Sequence, residues 1–344
     1  MSIMQMMLGA SGGGGSIAGE YFAKAKYTGN GSTQFITTDL DMTGGGLTWI
    51  KADDPPNGRY HTWCYDDSKQ VYLTTTDPGA SQPNVTSWTS TGFNLGSDGQ
   101  CNANSADYHS WNFKKAEGFF DTVTYTGDST YRTRSHNLGA EPGLIILKKI
   151  SQSGGTVFKW PVLFNVPGTY FGAGYAGYTN ANHKYVESYG WNSDGAGQPG
   201  SNPTSTVFSV GAAGHYNASG CVYRAFLFAK DTENLIKCGS FTGTSSDQSV
   251  TVGFKPQFLL LKNYQSTNYT NAISDWMVID DSMATVSTDQ YKEYFEFGAV
   301  NSDLETLGSG QYVEFTDTGF TISSSHQNLR ENGYDFFYMA IAAP

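Results

Sequence analysis

The sequence predicts an all-β protein: three tandem antiparallel β-sandwich domains, jelly-roll-like in topology, behind an extended N-terminal anchor peptide. Three observations lead there. Glycine supplies 41 of 344 residues, and charged residues make up 15%, against roughly 25% in an average domain. Aromatic side chains also make up 15%, enough to build real cores from strands and turns. Finally, one order of turn and strand signals occurs three times along the chain, the signature of repeated units. At roughly 150 residues per domain, length alone gives two or three domains.

Composition also excludes classes. Nothing in the sequence makes a run of ~18 apolar residues, so no helical span or membrane insertion is expected. Charge is too scarce for a coiled coil or helix bundle. A net charge of −11 opposes binding to a phosphate backbone, so no nucleic-acid partner is expected. Met1 to Leu8 lacks a basic n-region and its apolar part is shorter than a signal-peptide core. Cys64, Cys101, Cys221 and Cys238 form no C-x-x-C pair and read as reduced, buried thiols; Cys64 with Cys101, or Cys221 with Cys238, could pair if the fold placed them within reach.

The elements follow in order. Residues 1–19 carry an uncharged apolar peptide, with Ile3, Met4, Met6, Met7 and Leu8, and then the run Ser11-Gly-Gly-Gly-Gly-Ser16. Such a peptide stays ordered only when something covers it. Methionines suit an adaptable groove in a partner, so Ile3 to Leu8 are the expected anchor; folding back on its own domain is the alternative.

Repeat 1, residues 20–116, begins Tyr27-Thr-Gly-Asn30 and contains Leu47-Thr-Trp-Ile-Lys51, Trp63 and Gly92-Phe-Asn-Leu95. It ends at Tyr108-His-Ser-Trp-Asn-Phe-Lys114. Repeat 2, residues 117–232, shows Tyr125-Thr-Gly-Asp128, Leu144-Ile-Ile-Leu-Lys148, Trp160, Val207-Phe-Ser-Val210 and Tyr223-Arg-Ala-Phe226. Repeat 3, residues 233–344, shows Phe241-Thr-Gly-Thr244, Phe258-Leu-Leu-Leu-Lys262, Trp276, Gly319-Phe-Thr-Ile322 and Tyr334-Asp-Phe-Phe337. The strand-ending lysine recurs at intervals of 97 and 114, and the Thr-Gly turn at 98 and 116. Two markers with one spacing define three copies.

Within each copy, Thr-Gly reads as turn chemistry that uses positive φ. Leu144 to Leu147 and Phe258 to Leu261 have the length of strands buried on both faces. Asp289 to Phe297 is the one segment expected to make a helical turn. Superposition on the lysines should bring Trp63, Trp160 and Trp276 together, each copy with its own core. The lysines themselves read as caps of apolar strands, one per copy, and not as a basic patch.

These strings resemble a repeat domain found in virion proteins of marine tailed bacteriophages, cyanophages among them. Gly92-Phe-Asn-Leu-Gly-Ser-Asp-Gly99 and Gly118-Phe-Phe-Asp-Thr-Val-Thr-Tyr-Thr-Gly127 carry the resemblance most clearly. It covers residues 20 to 341 and departs in the third copy, where Phe336-Phe-Tyr-Met replaces the Trp-x-Phe ending. The resemblance implies a virion structural role and supplies no catalytic residue and no cofactor.

Candidate chemistry is sparse. Tyr170, Phe171, Tyr175, Tyr178, Tyr185, Tyr189 and Trp191 lie on a glycine-rich stretch read as an insertion in the second copy. Such rings could stack on a host-surface glycan, contact another subunit, or pack on their own sandwich. Asp98, Asn102, Asn104 and Asp107 space oxygen ligands as a loose calcium loop does, but without its bidentate Glu; an Asx-rich hairpin is the commoner outcome. Asp280-Asp281 with Glu293 and Glu296 could pair carboxylates for glycoside hydrolysis, although solvated acidic loops are the base case. None of the six histidines sits in a metal-ligand motif.

The expected function is therefore non-enzymatic: a tail fibre or tail-associated host-contact protein of the virion, assembled in the host cytoplasm. It would attach to other virion proteins through the N-terminal peptide and form a homo-oligomer such as a trimer. A capsid decoration or head-fibre protein is the alternative, and a polysaccharide-degrading tailspike stands behind both.

Overall fold

The computed structural model describes residues 17–53, 61–65, 69–72, 84–151, 160–165, 175–178, 185–186, 202–212, 214–263, 276–297, 301–323 and 332–344. Among the described residues the regular secondary structure is almost entirely strand, paired antiparallel throughout. The first stretch holds β1 (Phe22–Thr28), β2 (Gln34–Thr37), β3 (Gly46–Ala52), β4 (Thr62–Tyr65), β5 (Lys69–Tyr72), β6 (Val85–Trp88), β7 (Gly92–Leu95) and β8 (Asp107–Lys114). The second holds β9 (Phe120–Thr126), β10 (Arg132–Ser135), β11 (Pro142–Lys149), β12 (Pro161–Phe164), β13 (Tyr175–Tyr178), β14 (Tyr185–Val186), β15 (Val207–Val210) and β16 (Val222–Ala229). The third holds β17 (Asp231–Thr232), β18 (Ile236–Thr242), β19 (Gln248–Thr251), β20 (Pro256–Asn263), β21 (Trp276–Asp280) and β22 (Thr285–Ser287). It continues with β23 (Gln290–Tyr291), β24 (Glu293–Phe297), β25 (Asn301–Thr306), β26 (Val313–Thr316), β27 (Gly319–Ile322) and β28 (Asp335–Ala342).

Each stretch builds one large sheet, and the same four-strand order recurs: β1-β8-β3-β4, β9-β16-β11-β12 and β18-β28-β20-β21. A smaller sheet accompanies each: β2-β7-β6, β10-β15 and β19-β27-β26-β23-β22. In the first stretch the two sheets enclose their own core of Ile36, Ile50, Val85, Phe93, Leu95 and Tyr108. The other face of that large sheet behaves differently. Leu47, Trp49, Trp63, Trp111 and Phe113 join one continuous apolar cluster with Leu144, Ile146, Phe226 and Phe228 of the second stretch and Phe258, Leu260 and Phe337 of the third. The expectation of separate cores therefore holds for the outer face of the first copy only. The inner faces are too apolar to meet water and cover one another.

Equivalent residues make these contacts. Tyr65, Phe164 and Asp280 stand opposite Leu47, Leu144 and Phe258. Each reaches the next sheet. The Tyr65 ring lies 5.4 Å from that of Phe226, the Phe164 ring 4.4 Å from that of Phe337, and Trp111 Nε1 donates to Asp280 Oδ2 at 2.7 Å. First touches second, second touches third, and third touches first. The ring is closed.

The recurring Tyr-Thr-Gly has a packing cause. Tyr27 stacks on Tyr108 at 5.1 Å and 11°, and Tyr125 stacks on Tyr223 at 5.2 Å and 10°. Their hydroxyls donate to backbone at the one-turn helices Gly99–Asn102 and Gly214–Asn217, Tyr27 to Cys101 O and Tyr125 to Tyr216 O. Phe241 and Phe336 keep the stack, at 5.1 Å, without the hydroxyls. The glycine is required by close approach and not by positive φ: a Cβ at Gly29 would lie 2.2 Å from Ala103 O, and one at Gly127 2.2 Å from Ala218 O.

Other expectations are corrected. Asp289 to Phe297 forms β23 and β24, not a helical turn; Val278 pairs with Phe295 and the aromatic spacing serves a sheet. Tyr175–Tyr178 is not wholly an insertion, because β13 flanks β12 as β5 flanks β4. All four cysteines are buried thiols, so neither proposed pair forms a disulfide.

Replacing Gly29 by alanine should destabilise the protein by about 1–3 kcal/mol through overpacking against backbone. Gly44, which has nothing within 4 Å of its would-be Cβ, should accept alanine almost neutrally. Urea unfolding of the two variants checks the contrast; equal stabilities would contradict the close-approach account.

Candidate functional site

Two regions of the ring carry unusual chemistry, and both follow from strand direction. β3, β11 and β20 run the same way relative to the shared core, so their inward residues form levels. Leu47, Leu144 and Phe258 make one level, Trp49, Ile146 and Leu260 the next, and Lys51, Lys148 and Lys262 the last. All three lysines are buried. They are therefore not solvated strand caps. One lysine per copy, which reads as three scattered charges in sequence, becomes a single buried level once the sheets close.

Neighbours on the sheet differ between copies. Lys148 Nζ lies 4.4 Å from the Trp160 ring and Lys262 Nζ 5.8 Å from the Trp276 ring, within cation–π range. Beside Lys51, continuing the Ile50–Thr62 register, stands His61 and not Trp63. Trp63 is two residues further on and pairs with Trp49, so the three tryptophans are not equivalent. Each of these rings also touches the preceding sheet: Trp160 lies 5.9 Å from Trp63, Trp276 5.6 Å from Phe164 and His61 6.3 Å from Phe295. On the other flank, Lys51 pairs with His109 and Lys148 with Arg224. Arg224 lies over Tyr65, 4.8 Å from its centroid, and donates to Thr122 Oγ1 at 3.2 Å. His109 Nδ1 meets Asp53 Oδ1 at 2.5 Å, while His61 Nδ1 accepts from Trp49 Nε1 at 3.0 Å.

The second region is the distribution of chain ends and connections. β1 begins at Phe22 and β28 ends at Ala342, both at the level opposite to the lysines. A side chain at Gly19 would touch Pro344, Cβ to Cβ, at 3.4 Å. Both joints between stretches, after Lys114 and after Ala229, lie at this pole too. At the lysine pole the chain leaves β3, β11 and β20 for residues 54–60, 152–159 and 264–275. It also leaves β5, β13 and β24 there for 73–83, 179–184 and 298–300.

The sequence-predicted residues are dispersed over this frame. Ile3, Met4, Met6, Met7 and Leu8 lie outside the described residues, as do Tyr170, Phe171, Tyr189 and Trp191. Tyr175 and Tyr178 lie in β13, and Tyr185 in β14. The connections carrying Tyr170 and Phe171, and Tyr189 and Trp191, leave from the terminal pole, so the seven aromatics do not share one connection. Asp98 accepts from Gln100 N at 2.8 Å as the cap of the short helix. Asn102 accepts from Asn30 N at 2.9 Å and donates to Gly96 O at 2.7 Å. Asp107 accepts from Thr28 Oγ1 at 2.6 Å. Three of the four proposed calcium ligands thus serve the turn, and among the described residues no group of acidic or metal-ligating side chains is poised to hold a metal.

Asp280 and Asp281 are interface residues. Asp280 accepts from Trp111 and from Ser282 N at 2.7 Å, and Asp281 pairs with Lys24 of the first stretch at 2.6 Å. Burial pushes the Asp281 carboxyl above its ordinary value, with Lys24 opposing. Glu293 accepts from Ala284 N at 2.8 Å, and the Glu296 side chain lies outside the described residues. This geometry ties the described carboxylates to structure and, among the described residues, brings no facing acid pair together.

The class is thus an all-β body of three sheets closed around one core, with the described ends of the chain at one pole and the connections after β3, β11 and β20 at the other. The chain belongs to the family described as Domain of unknown function (DUF7483), which it matches over residues 17–344. No curated protein matches it.

Two measurements test the electrostatics. Trp111→Phe should cost on the order of 3 kcal/mol, because it leaves a buried carboxylate oxygen without its donor. Asp280→Asn should also destabilise, because both carboxylate oxygens accept and the amide NH2 would face the N–H of either Trp111 or Ser282. Equal stability of wild type and W111F in urea would contradict the interface bond. Burial holds the His136 imidazole below its ordinary value, its Nε2 against Thr204 O and its Nδ1 accepting from Leu138 N. The unfolded state therefore takes up the proton first as pH falls through about 6.5. Stability from the neutral ring is present above that pH and lost below it. His136→Gln should flatten stability against pH below about 6.5; an unchanged slope would remove His136 as the cause.

Proposed function

We propose that this protein is a non-enzymatic virion structural protein, a tail-associated host-contact module held to the particle by its N-terminal peptide. The observation that supports it is the separation of poles. Gly19, near the start of the body, lies beside Pro344, and the connections 54–60, 73–83, 152–159 and 264–275 leave from the opposite end, while 166–174 and 187–201 leave from this one. Rigid β-scaffolds bind through loops gathered at one end. An attached pole and a presenting pole are what a contact module requires.

The connections at the presenting pole are rich in Thr, Ser, Asn and Gln with a few tyrosines, as in Tyr264-Gln-Ser-Thr-Asn-Tyr-Thr-Asn271. Such chains supply adaptable hydrogen bonds and flat rings, suited to a host-surface glycan. A capsid decoration protein is the second reading. It is favoured by one feature: the three stretches close into a compact body and do not extend as a shaft.

Deleting residues 1–16 should leave the body folded and stop its incorporation into particles. Replacing 264–275 by a Gly-Ser linker of equal length should preserve particle yield and reduce adsorption to cells at least tenfold. Normal incorporation of the truncation would overturn the anchor. Normal adsorption of the linker variant, with the protein located on the head, would favour decoration.

A further inference from the structure

The joint between the third and first stretches differs from the other two. Residues 115–119 carry the chain from the first stretch to the second, and residues 230–235 carry it from the second to the third. Among the described residues no chain crosses the third joint, where the ring closes. Three side chains meet there. Lys24 Nζ donates to Gln257 Oε1 at 2.9 Å and lies 2.6 Å from Asp281 Oδ1. Strand geometry places each of them. Lys24 stands beside Trp111 in the β1–β8 register, and the neighbouring Phe22 ring lies 5.4 Å from that of Phe258, so β1 faces β20. Gln257 is the bulged residue of β20, between the Pro256 and Phe258 pairs with β28. Bulges re-aim side chains and recur beside reactive sites. Gln257 is buried, its Nε2 donates to Ala342 O at 2.8 Å, and its carbonyl accepts from Asp281 N at 3.2 Å.

An amine, a carboxamide and a carboxyl in contact are the parts of an amide exchange. A lysine amine is a nucleophile once deprotonated, and fixed contact supplies the proximity the step needs. Burial pushes the Asp281 carboxyl up, with Lys24 opposing, which suits it to carry a proton between nitrogens. We propose that Lys24 and Gln257 join in a side-chain amide, with Asp281 as the proton carrier, and that this bond closes the ring covalently. Asp281 takes one proton from the Lys24 ammonium. The freed electron pair forms a bond to Gln257 Cδ, a second proton passes from that nitrogen to Nε2 through Asp281, and the Cδ–Nε2 bond breaks. Ammonia departs and leaves with the first proton as ammonium; nothing is oxidised or reduced. Lys230 makes a contrast. There Lys230 and Asn165 both donate to Glu141 Oε1, so the carboxylate stands between amine and amide and no link is expected.

Intact-mass spectrometry of the full-length protein is the test. After prolonged incubation the mass should fall short of the sequence mass by one ammonia, and a tryptic digest should yield one linked peptide pair carrying Lys24 and Gln257. Lys24→Arg keeps a cation beside Asp281 and should retain the full mass. Asp281→Asn should link about 100-fold more slowly; linking at the wild-type rate would overturn the role given to Asp281. A wild-type protein of full mass, releasing the two peptides separately, would overturn the proposal. So would an ammonia lost from any other peptide. Should a variant fail to fold, the wild-type mass and digest decide.

Discussion

Everything in this molecule depends on one constraint: the inner face of each large sheet is apolar and aromatic, and its own small sheet covers only the other face. Trp49, Trp63, Trp111, Phe113, Phe226, Phe228 and Phe258 are buried by residues that come from other stretches of the chain. Each such side chain contributes roughly 1.5–3 kcal/mol when removed from water. Two sheets would leave a gap and an open array would leave faces exposed. Three sheets closed on one another satisfy all three faces with a single core. The crossing contacts at Tyr65, Phe164 and Asp280 are the visible consequence, since one position per sheet does the bridging each time.

Closure also sets the polar chemistry. A lysine that ends a strand in a free-standing sandwich would snorkel to water. Here the same position is buried inside the ring, with Lys148 over Trp160 and Lys262 over Trp276. The first stretch puts His61 in that place, which keeps an aromatic ring and gains a bond from Trp49. The first-to-third joint is likewise polar, with Trp111, Asp280, Lys24 and Asp281 where the other joints use rings. Buried polar groups of this sort favour one arrangement over others because a mismatch leaves them unsatisfied.

Fold class was legible because its signals are local. Short apolar runs, Gly-rich turns and scarce charge indicate strands wherever they stand, and the repeat spacing is visible in the order of residues. The cause of the Thr-Gly motif was not legible, because the clash at Gly29 involves Ala103, more than seventy positions away. The Asp289 to Phe297 error arose where aromatic spacing fits helix and strand alike, and only pairing with β21 decides. The lysine level was hidden for a deeper reason. Its members are about a hundred residues apart, and only the direction in which the sheets close brings them together. Likewise the Trp63 equivalence failed by two residues, a shift that preserves the face and so leaves no trace in periodicity.

The shared core is tested most directly by calorimetry of the body, residues 17–344, alongside the isolated segment 117–232. One core predicts a single transition with calorimetric and van't Hoff enthalpies in a ratio near unity. It also predicts that the isolated segment shows no cooperative melt, because its inner face is then bare. Separate transitions in the body, or a cooperative melt of residues 117–232 alone, would contradict the closed ring as the unit of stability.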